Sequence, residues 1–175
     1  AAGRRDGLVY IVADYVDSEA LPPKVLRDPD LETARSGLTS DCAAALAAIH
    51  RIDPAGLDLV EQDKLGLYRR RLDLIGEPRP VLELGYRWLV ANRPPARPPV
   101  VVHGDFRLDN LLFGGPRVAV VDWQTVRIGA PLCDLAYFVG SALHPGARRD
   151  HEREVVEAYR TALGGLGVEM SAGEC

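Results

Sequence analysis

The sequence predicts an α+β fold, mainly helical, with one small β-hairpin set between helical stretches. Three observations carry this reading. Alanine- and leucine-rich runs at helical spacing occupy both halves, as in "CAAALAAIHRI" and "ARRDHEREVVEAYRTAL". Two short apolar runs, 111–113 and 118–121, flank Gly114-Gly115-Pro116, which is a hairpin signal. Strands and helices do not alternate, so a series of βαβ units is excluded.

In chain order, "LVYIVADYV" (residues 8–16) is apolar and β-branched and reads as a strand. The paired prolines of "DSEALPP" end any regular element. Thr39, Ser40 and Asp41 are N-cap candidates for the alanine-rich helix that follows, and Asp53-Pro54 stops it. Leucines and aromatics recur at helical spacing around 64–75 and 80–92, with Gly76 and Pro78 between them. "NRPPARPP" is a stiff connector that feeds a short buried strand at 100–102. After the hairpin, "PLCDLAYFVGSAL" reads as a mostly buried helix, and the run that follows as an amphipathic one.

Composition narrows the function classes. A net charge of −4 gives no reason to expect nucleic acid or an anionic membrane as partner. No apolar run approaches the roughly 20 residues of a membrane span. Cys42, Cys133 and Cys175 are widely spaced, without a CxxC, so neither a disulfide framework nor a zinc site is indicated. A reducing cytoplasm is the expected setting. Cys42 and Cys133 lie in apolar helices as inert core thiols. "RRDHERE" mixes signs along a helix, the pattern of a solvated face.

The stretch "VVVHGDFRLDNLLF" sets His103, Asp105, Arg107, Asp109 and Asn110 between two runs that favour burial. Asp122 ends the strand "VAVVD", and a hairpin returns it beside Asn110, which opens the partner strand. A carboxylate and an amide oxygen side by side are hard ligands suited to Mg²⁺, and two protein groups leave room for phosphate oxygens. Asp105 stays free to accept a proton from a hydroxyl. Arg107 offers positive charge to a transferring phosphoryl group, or pairs with an ordinary surface carboxylate. Asp109 is expected to brace the loop or face water, because neighbouring side chains diverge. Trp123 is expected to pack. His50 ends its helix, where the C-terminal dipole favours it.

This parts list is the phosphoryl-transfer template, with an Asp base and an Asn ligand in one loop and a second Asp ligand downstream. "VVHGDFRLDNLLF" followed by "VAVVDWQTVRIGAPLCDLAYFVG" resembles the aminoglycoside phosphotransferase-like family, the kinase-like group that includes choline kinases. The "HGDFRLDN" and "DWQ" forms are similar to its small-molecule phosphotransferase branch. The resemblance extends more loosely to "YIVADYVDSEALP", like the hinge between the two lobes, and to "LAAIHRID".

The resemblance implies the large, C-terminal lobe of a kinase-like fold, with 1–20 as interlobe hinge and linker and 21–175 as the helical lobe. It implies ATP or GTP as donor, Mg²⁺, and a small hydroxyl-bearing acceptor. Asp105 matches the catalytic base, and Asn110 and Asp122 the metal ligands. His103 matches a loop histidine that orders rather than reacts, and Arg107 a basic residue near the γ-phosphate. Asp134 matches a buried carboxylate that braces the loop, and His50 has a supporting place behind it. Backbone around Asp14, Tyr15 and Val16 would meet the adenine edge.

Such an enzyme also covers the phosphates with a glycine-rich loop and orients them with a strand lysine. The only lysines are Lys24, beyond the hinge, and Lys64, in a polar stretch, and no strand is expected before Leu8. The sequence therefore reads as a large lobe without its small lobe, ending at "MSAGEC" earlier than relatives do, with weak or no activity by itself. The alternative is a non-catalytic kinase-like binding module or an inactive fragment. Metal-dependent phosphate-ester hydrolysis fits less well, since a hydrolase would show more carboxylate or histidine ligands.

Overall fold

The computed structural model describes residues 2–12, 14–114 and 117–171, so Gly115 and Pro116 of the expected turn, and Cys175, lie outside the described residues. The chain opens with a hairpin of β1 (Ala2–Arg5) and β2 (Leu8–Ile11), paired antiparallel with Arg5 opposite Leu8. Asp6 and Gly7 join them at φ of 51° and 81°. Two consecutive positive φ values define the mirror-image turns that suit the right-handed twist of a hairpin, and Asp-Gly is their usual sequence. This corrects the expectation of a lone strand over 8–16. A strand precedes Leu8, and β2 stops at Ile11.

The paired prolines also behave differently from expectation. Pro22 and Pro23 begin α1 (Pro22–Arg27) rather than ending an element. At the first helical positions a missing N–H costs nothing, because those donors have no partner within the helix. A short α2 (Glu32–Ser36) leads to α3 (Leu38–His50). Helix α3 starts before the anticipated caps, so Thr39, Ser40 and Asp41 lie in its first turn, and the Ser40 hydroxyl donates back to the Gly37 carbonyl at 2.8 Å.

Helices α4 (Lys64–Ile75) and α5 (Pro80–Ala91) occupy the two stretches of helical spacing, with Gly76 closing α4 in the left-handed region at φ 66°. Lys64 is the first residue of α4 rather than part of a loop. The two helices face each other, and Arg69 of α4 bridges Glu83 of α5 and Asp73 of its own helix.

The second half carries four short strands: β3 (Val100–Val102), β4 (Leu111–Leu112), β5 (Ala119–Val120) and β6 (Arg127–Gly129). Strands β4 and β5 form the expected hairpin, with Leu111 opposite Val120. Strand β3 pairs antiparallel with β6, Val102 opposite Arg127, a ladder with no clear sequence signal. Helices α6 (Leu132–Ala142) and α7 (Pro145–Gly165) follow.

The core lies where α3 and α7 pack together and α6 closes against α7. Leu46, Ala47 and Ile49 of α3, with Val155, Tyr159 and Leu163 of α7, are buried. The α7 residues recur every fourth position, which places them on one helix face. Phe106, Leu108, Leu111 and Phe113 add the underside of the loop to the same core. The polar loop is thus anchored by its own alternate residues. The architecture is mainly helical α+β, as expected. Among the described residues no helix is long and apolar enough to cross a membrane.

Leu46 is 1% exposed and Leu74 of α4 is 85% exposed. Leu46→Ala is expected to lower stability in urea denaturation by about 3 kcal/mol, through lost transfer energy and a residual cavity. Leu74→Ala should stay within about 0.5 kcal/mol of the parent.

Candidate active site

The segment His103–Asn110 joins β3 to β4, and its backbone is held from below. The His103 N–H donates to Asp134 Oδ2 at 2.6 Å, and the Gly104 N–H to Asp134 Oδ1 at 2.8 Å. Asp134 lies in the first turn of α6 and is 1% exposed. Burial is the largest influence on its carboxyl and pushes the pKa up. His50 and the two loop amides together outweigh it and hold the group below the ordinary aspartate value. Thr125 closes the loop from the other side, its hydroxyl donating to the His103 carbonyl at 2.9 Å.

Glycine is required at 104. Its φ is 88°, and a Cβ there would stand 2.6 Å from the Thr125 carbonyl oxygen and 2.0 Å from Arg127 Nη1. The β3–β6 ladder brings this crowding about, because it lays Arg127 beside Val102.

The His103 ring is fully buried and tied at both nitrogens. Nε2 lies 2.9 Å from the Val121 carbonyl, and Nδ1 3.3 Å from the Asp105 N–H. Carbonyls only accept and amides only donate, so the proton sits on Nε2. The ring therefore links the loop to the residue before Asp122. Trp123 packs against it with ring centroids 4.8 Å apart and donates its indole N–H to the Val120 carbonyl at 3.0 Å.

Asp105 is half-buried. The Asn110 side-chain nitrogen donates to its Oδ2 at 3.0 Å and to its carbonyl at 2.8 Å. Both hydrogens of the amide are thereby committed, and the Asn110 oxygen carries no hydrogen bond among the described residues. The Val121 N–H donates to the Asn110 carbonyl at 3.0 Å, one residue beyond the β4–β5 pairing, and Asp122 comes next. Asp122 is exposed and lies in the left-handed region at φ 62°, unusual for a residue with a side chain. Its Oδ2 accepts from Gln124 Nε2 at 3.1 Å.

No cluster of three or more His, Cys, Asp or Glu suited to a metal occurs among the described residues. A cation would instead rest on the amide oxygen of Asn110 and the carboxylate of Asp122, a hard-oxygen pair that fits Mg²⁺ retaining several other ligands.

Arg107 and Asp109 form a two-pronged pair within the loop, Nε to Oδ1 and Nη2 to Oδ2. Asp109 braces Arg107 in this arrangement. The hinge candidates Asp14, Tyr15 and Val16 are exposed and outside any strand, with Tyr15 87% exposed and the Val16 carbonyl accepting from the Ser18 hydroxyl at 3.1 Å. Just beyond them, Glu19 and Phe113 exchange backbone hydrogen bonds at 2.7 and 2.9 Å, so the linker is stitched to the end of β4.

His50 is not simply a helix-end cation. Its ring is buried, with Nδ1 2.6 Å from the Tyr159 hydroxyl and Nε2 3.7 Å from Asp134 Oδ2. Sequence reasoning did not find Tyr159, although the four-residue stripe on α7 marks it as inward-facing. Thr125 left no signal at all. Cys42 is a core thiol, and burial pushes its pKa up to about 12. Cys133 is half-buried.

Asp134 supplies stability that is present above the ordinary aspartate pKa and is lost as pH falls through its lower folded value. Thermal stability should therefore fall below about pH 4, and Asp134→Asn should flatten that slope. At pH 7 Asp134→Asn is expected to cost about 2 kcal/mol or more, because an amide NH₂ would face a buried loop N–H.

Three comparisons bear on this geometry. The chain is 30% identical over 135 residues to the mouse (Mus musculus) acyl-CoA dehydrogenase family member 10, covering 68% of this chain and 13% of that protein. It is 29% identical over 157 residues to the probable acyl-CoA dehydrogenase IBR3 of Arabidopsis thaliana, covering 75% and 19%. Its fold matches a choline/ethanolamine kinase family protein from Mesorhizobium loti with a TM-score of 0.66 at 20% identity, over 99% of this chain and 56% of that one. The chain thus spans about half of that solved structure and under a fifth of these two curated relatives. The model of the phosphotransferase enzyme family matches residues 2–170, and the chain belongs to that family.

Proposed function

We propose that the chain carries the catalytic and metal-binding half of a kinase that moves the γ-phosphoryl group of ATP or GTP to a hydroxyl of a small molecule. The observation that carries this is the double hydrogen bond from the Asn110 amide nitrogen to Asp105. It fixes the carboxylate of the base and leaves the Asn110 oxygen without a hydrogen bond among the described residues, which supports its use, with Asp122, as a cation ligand. Magnesium held there would neutralise charge on the phosphates and keep them in line.

The remaining steps belong to the chain. Asp105 has one oxygen occupied by Asn110 and the other free to receive the acceptor's proton. The acceptor oxygen forms its bond to phosphorus as the bond to the leaving diphosphate breaks, and the proton passes to Asp105. His103 orders the loop through both ring nitrogens, and Asp134 braces the backbone beneath it. Arg107 turns from Asp109 to offer positive charge to the phosphoryl group. Backbone near Asp14, Tyr15 and Val16 receives the nucleobase, next to the Glu19–Phe113 stitch.

For the acceptor, the reading is a hydroxyl carried on an acyl group. The names of the two curated relatives, an acyl-CoA dehydrogenase family member and a probable acyl-CoA dehydrogenase, support it. So does an open, apolar groove of about 380 Å³ between α4 and α5, lined by Leu65, Tyr68, Leu72, Ile75, Leu82 and Leu89. Leu65, one of its lining residues, follows the stretch where the Gln62 N–H donates to the Ile128 carbonyl of β6.

In the complete enzyme, Asp105→Asn should lower turnover at least ~1000-fold while nucleotide affinity stays within about threefold, as expected for a general base that also positions its substrate. Surviving turnover would remove Asp105 from the mechanism. Asp122→Ala should raise the magnesium concentration needed for nucleotide protection against thermal unfolding. With hydroxyacyl-CoA, choline and an aminoglycoside offered side by side, phosphate is expected on the hydroxyacyl thioester. Transfer to either of the others alone overturns the acyl reading, and nucleotide binding without any transfer points to a binding module.

A further inference from the structure

Three side chains from three helices and two backbone N–H groups of the loop meet in one buried line. The Tyr159 hydroxyl of α7 lies 2.6 Å from Nδ1 of His50, at the end of α3, with the rings edge-on at 84°. His50 Nε2 faces Asp134 Oδ2 of α6 at 3.7 Å. The two oxygens of Asp134 hold the N–H groups of His103 and Gly104. Tyr159 is 0% exposed, Asp134 1% and His50 6%.

The distances restrict where the protons sit. If Nδ1 carried the only imidazole proton, the lone pair of Nε2 would face a buried carboxylate and repel it. When the tyrosine hydroxyl donates to Nδ1, the proton sits on Nε2 and faces Asp134. At 3.7 Å this is an electrostatic contact rather than a hydrogen bond. His50 Nε2 accordingly has no hydrogen-bond partner, one of two such buried side-chain atoms among the described residues. An apolar residue would fill this position without stranding a polar atom, so packing alone does not account for the histidine.

We propose that Tyr159 is a positioning residue for phosphoryl transfer and acts through His50 and Asp134. Tyr159 fixes the imidazole with its proton on Nε2. That proton keeps Asp134 ionised and turned toward the loop, and Asp134 in turn sets the His103–Gly104 backbone from which Asp105 projects. The line ties the α3–α7 helix packing to the placement of the base. Its catalytic consequence rests on the reading of Asp105 above, whereas its structural part does not.

The test uses the ¹⁵N-labelled chain and the variants Tyr159→Phe, His50→Gln and His50→Ala. In the parent, ring ¹⁵N shifts should place the His50 proton on Nε2. In Tyr159→Phe and His50→Ala, amide exchange at His103 and Gly104 should rise about tenfold while mid-α7 amides keep their protection, as expected when a charge-assisted hydrogen bond is weakened. His50→Gln, which can still point an N–H at Asp134, should restore most of that protection. In the phosphoryl-transfer assay the same two variants should lose kcat by about tenfold with nucleotide KM unchanged. A parent ring protonated on Nδ1 alone, or unchanged exchange at His103 and Gly104 in a folded Tyr159→Phe, overturns the proposal. If His50→Ala fails to fold, the other two variants decide. A complete enzyme with no transfer activity defeats the kinase reading while the exchange result still judges the line itself.

Discussion

One carboxylate governs the geometry of the loop. Asp134 receives two consecutive backbone N–H groups, from His103 and Gly104, and so fixes the direction in which the chain leaves β3. Consecutive amides can converge on one carboxylate only if the backbone turns sharply, and Gly104 supplies that turn at φ 88°. The glycine then lies so close to Thr125 and Arg127 that no larger residue fits. A helix, a ladder and a tight turn thus meet in a few ångströms, and Asp105 follows directly.

The helices supply the rigidity this arrangement needs. Helices α3 and α7 bury their apolar faces on each other, and α6 enters that core through Leu135, Phe138 and Val139. Asp134 precedes those residues on α6, so the carboxylate is placed by a helix that cannot shift without opening the core. The loop adds Phe106 and Leu108 to the same apolar volume while its alternate residues stay at the surface. That alternation answers why a polar segment is interleaved with residues that favour burial.

Much of this was legible in the sequence. Helices α3, α4, α5, α6 and α7 follow from apolar spacing, and the β4–β5 hairpin from its two apolar runs and the glycines between them. The polar loop was legible as well, since His103 to Asn110 stand between two runs that favour burial. What escaped has identifiable reasons. Pairing of β3 with β6 joins segments about 25 residues apart through three-residue strands, too short for periodicity to mark. The Asp6-Gly7 turn was overlooked because its strands, "AGRR" and "LVYI", bury almost nothing and so lack alternation. The prolines at 22 and 23 were read by their breaking effect, although the same missing N–H suits a helix start. His50 meets Tyr159 across 109 residues of sequence, and no local pattern encodes such a contact.

The β4–β5 pairing consists of just two residue pairs, and Asp122 lies two residues past it. Because side chains alternate along a strand, slipping the pair by one residue would rotate Val121 and Asp122 to the opposite face. Extra residues between Phe113 and Val118 leave that parity alone, whereas a single deletion between Val120 and Asp122 reverses it. Evolutionary drift in length is therefore tolerated at the tip of this ribbon and forbidden at its base.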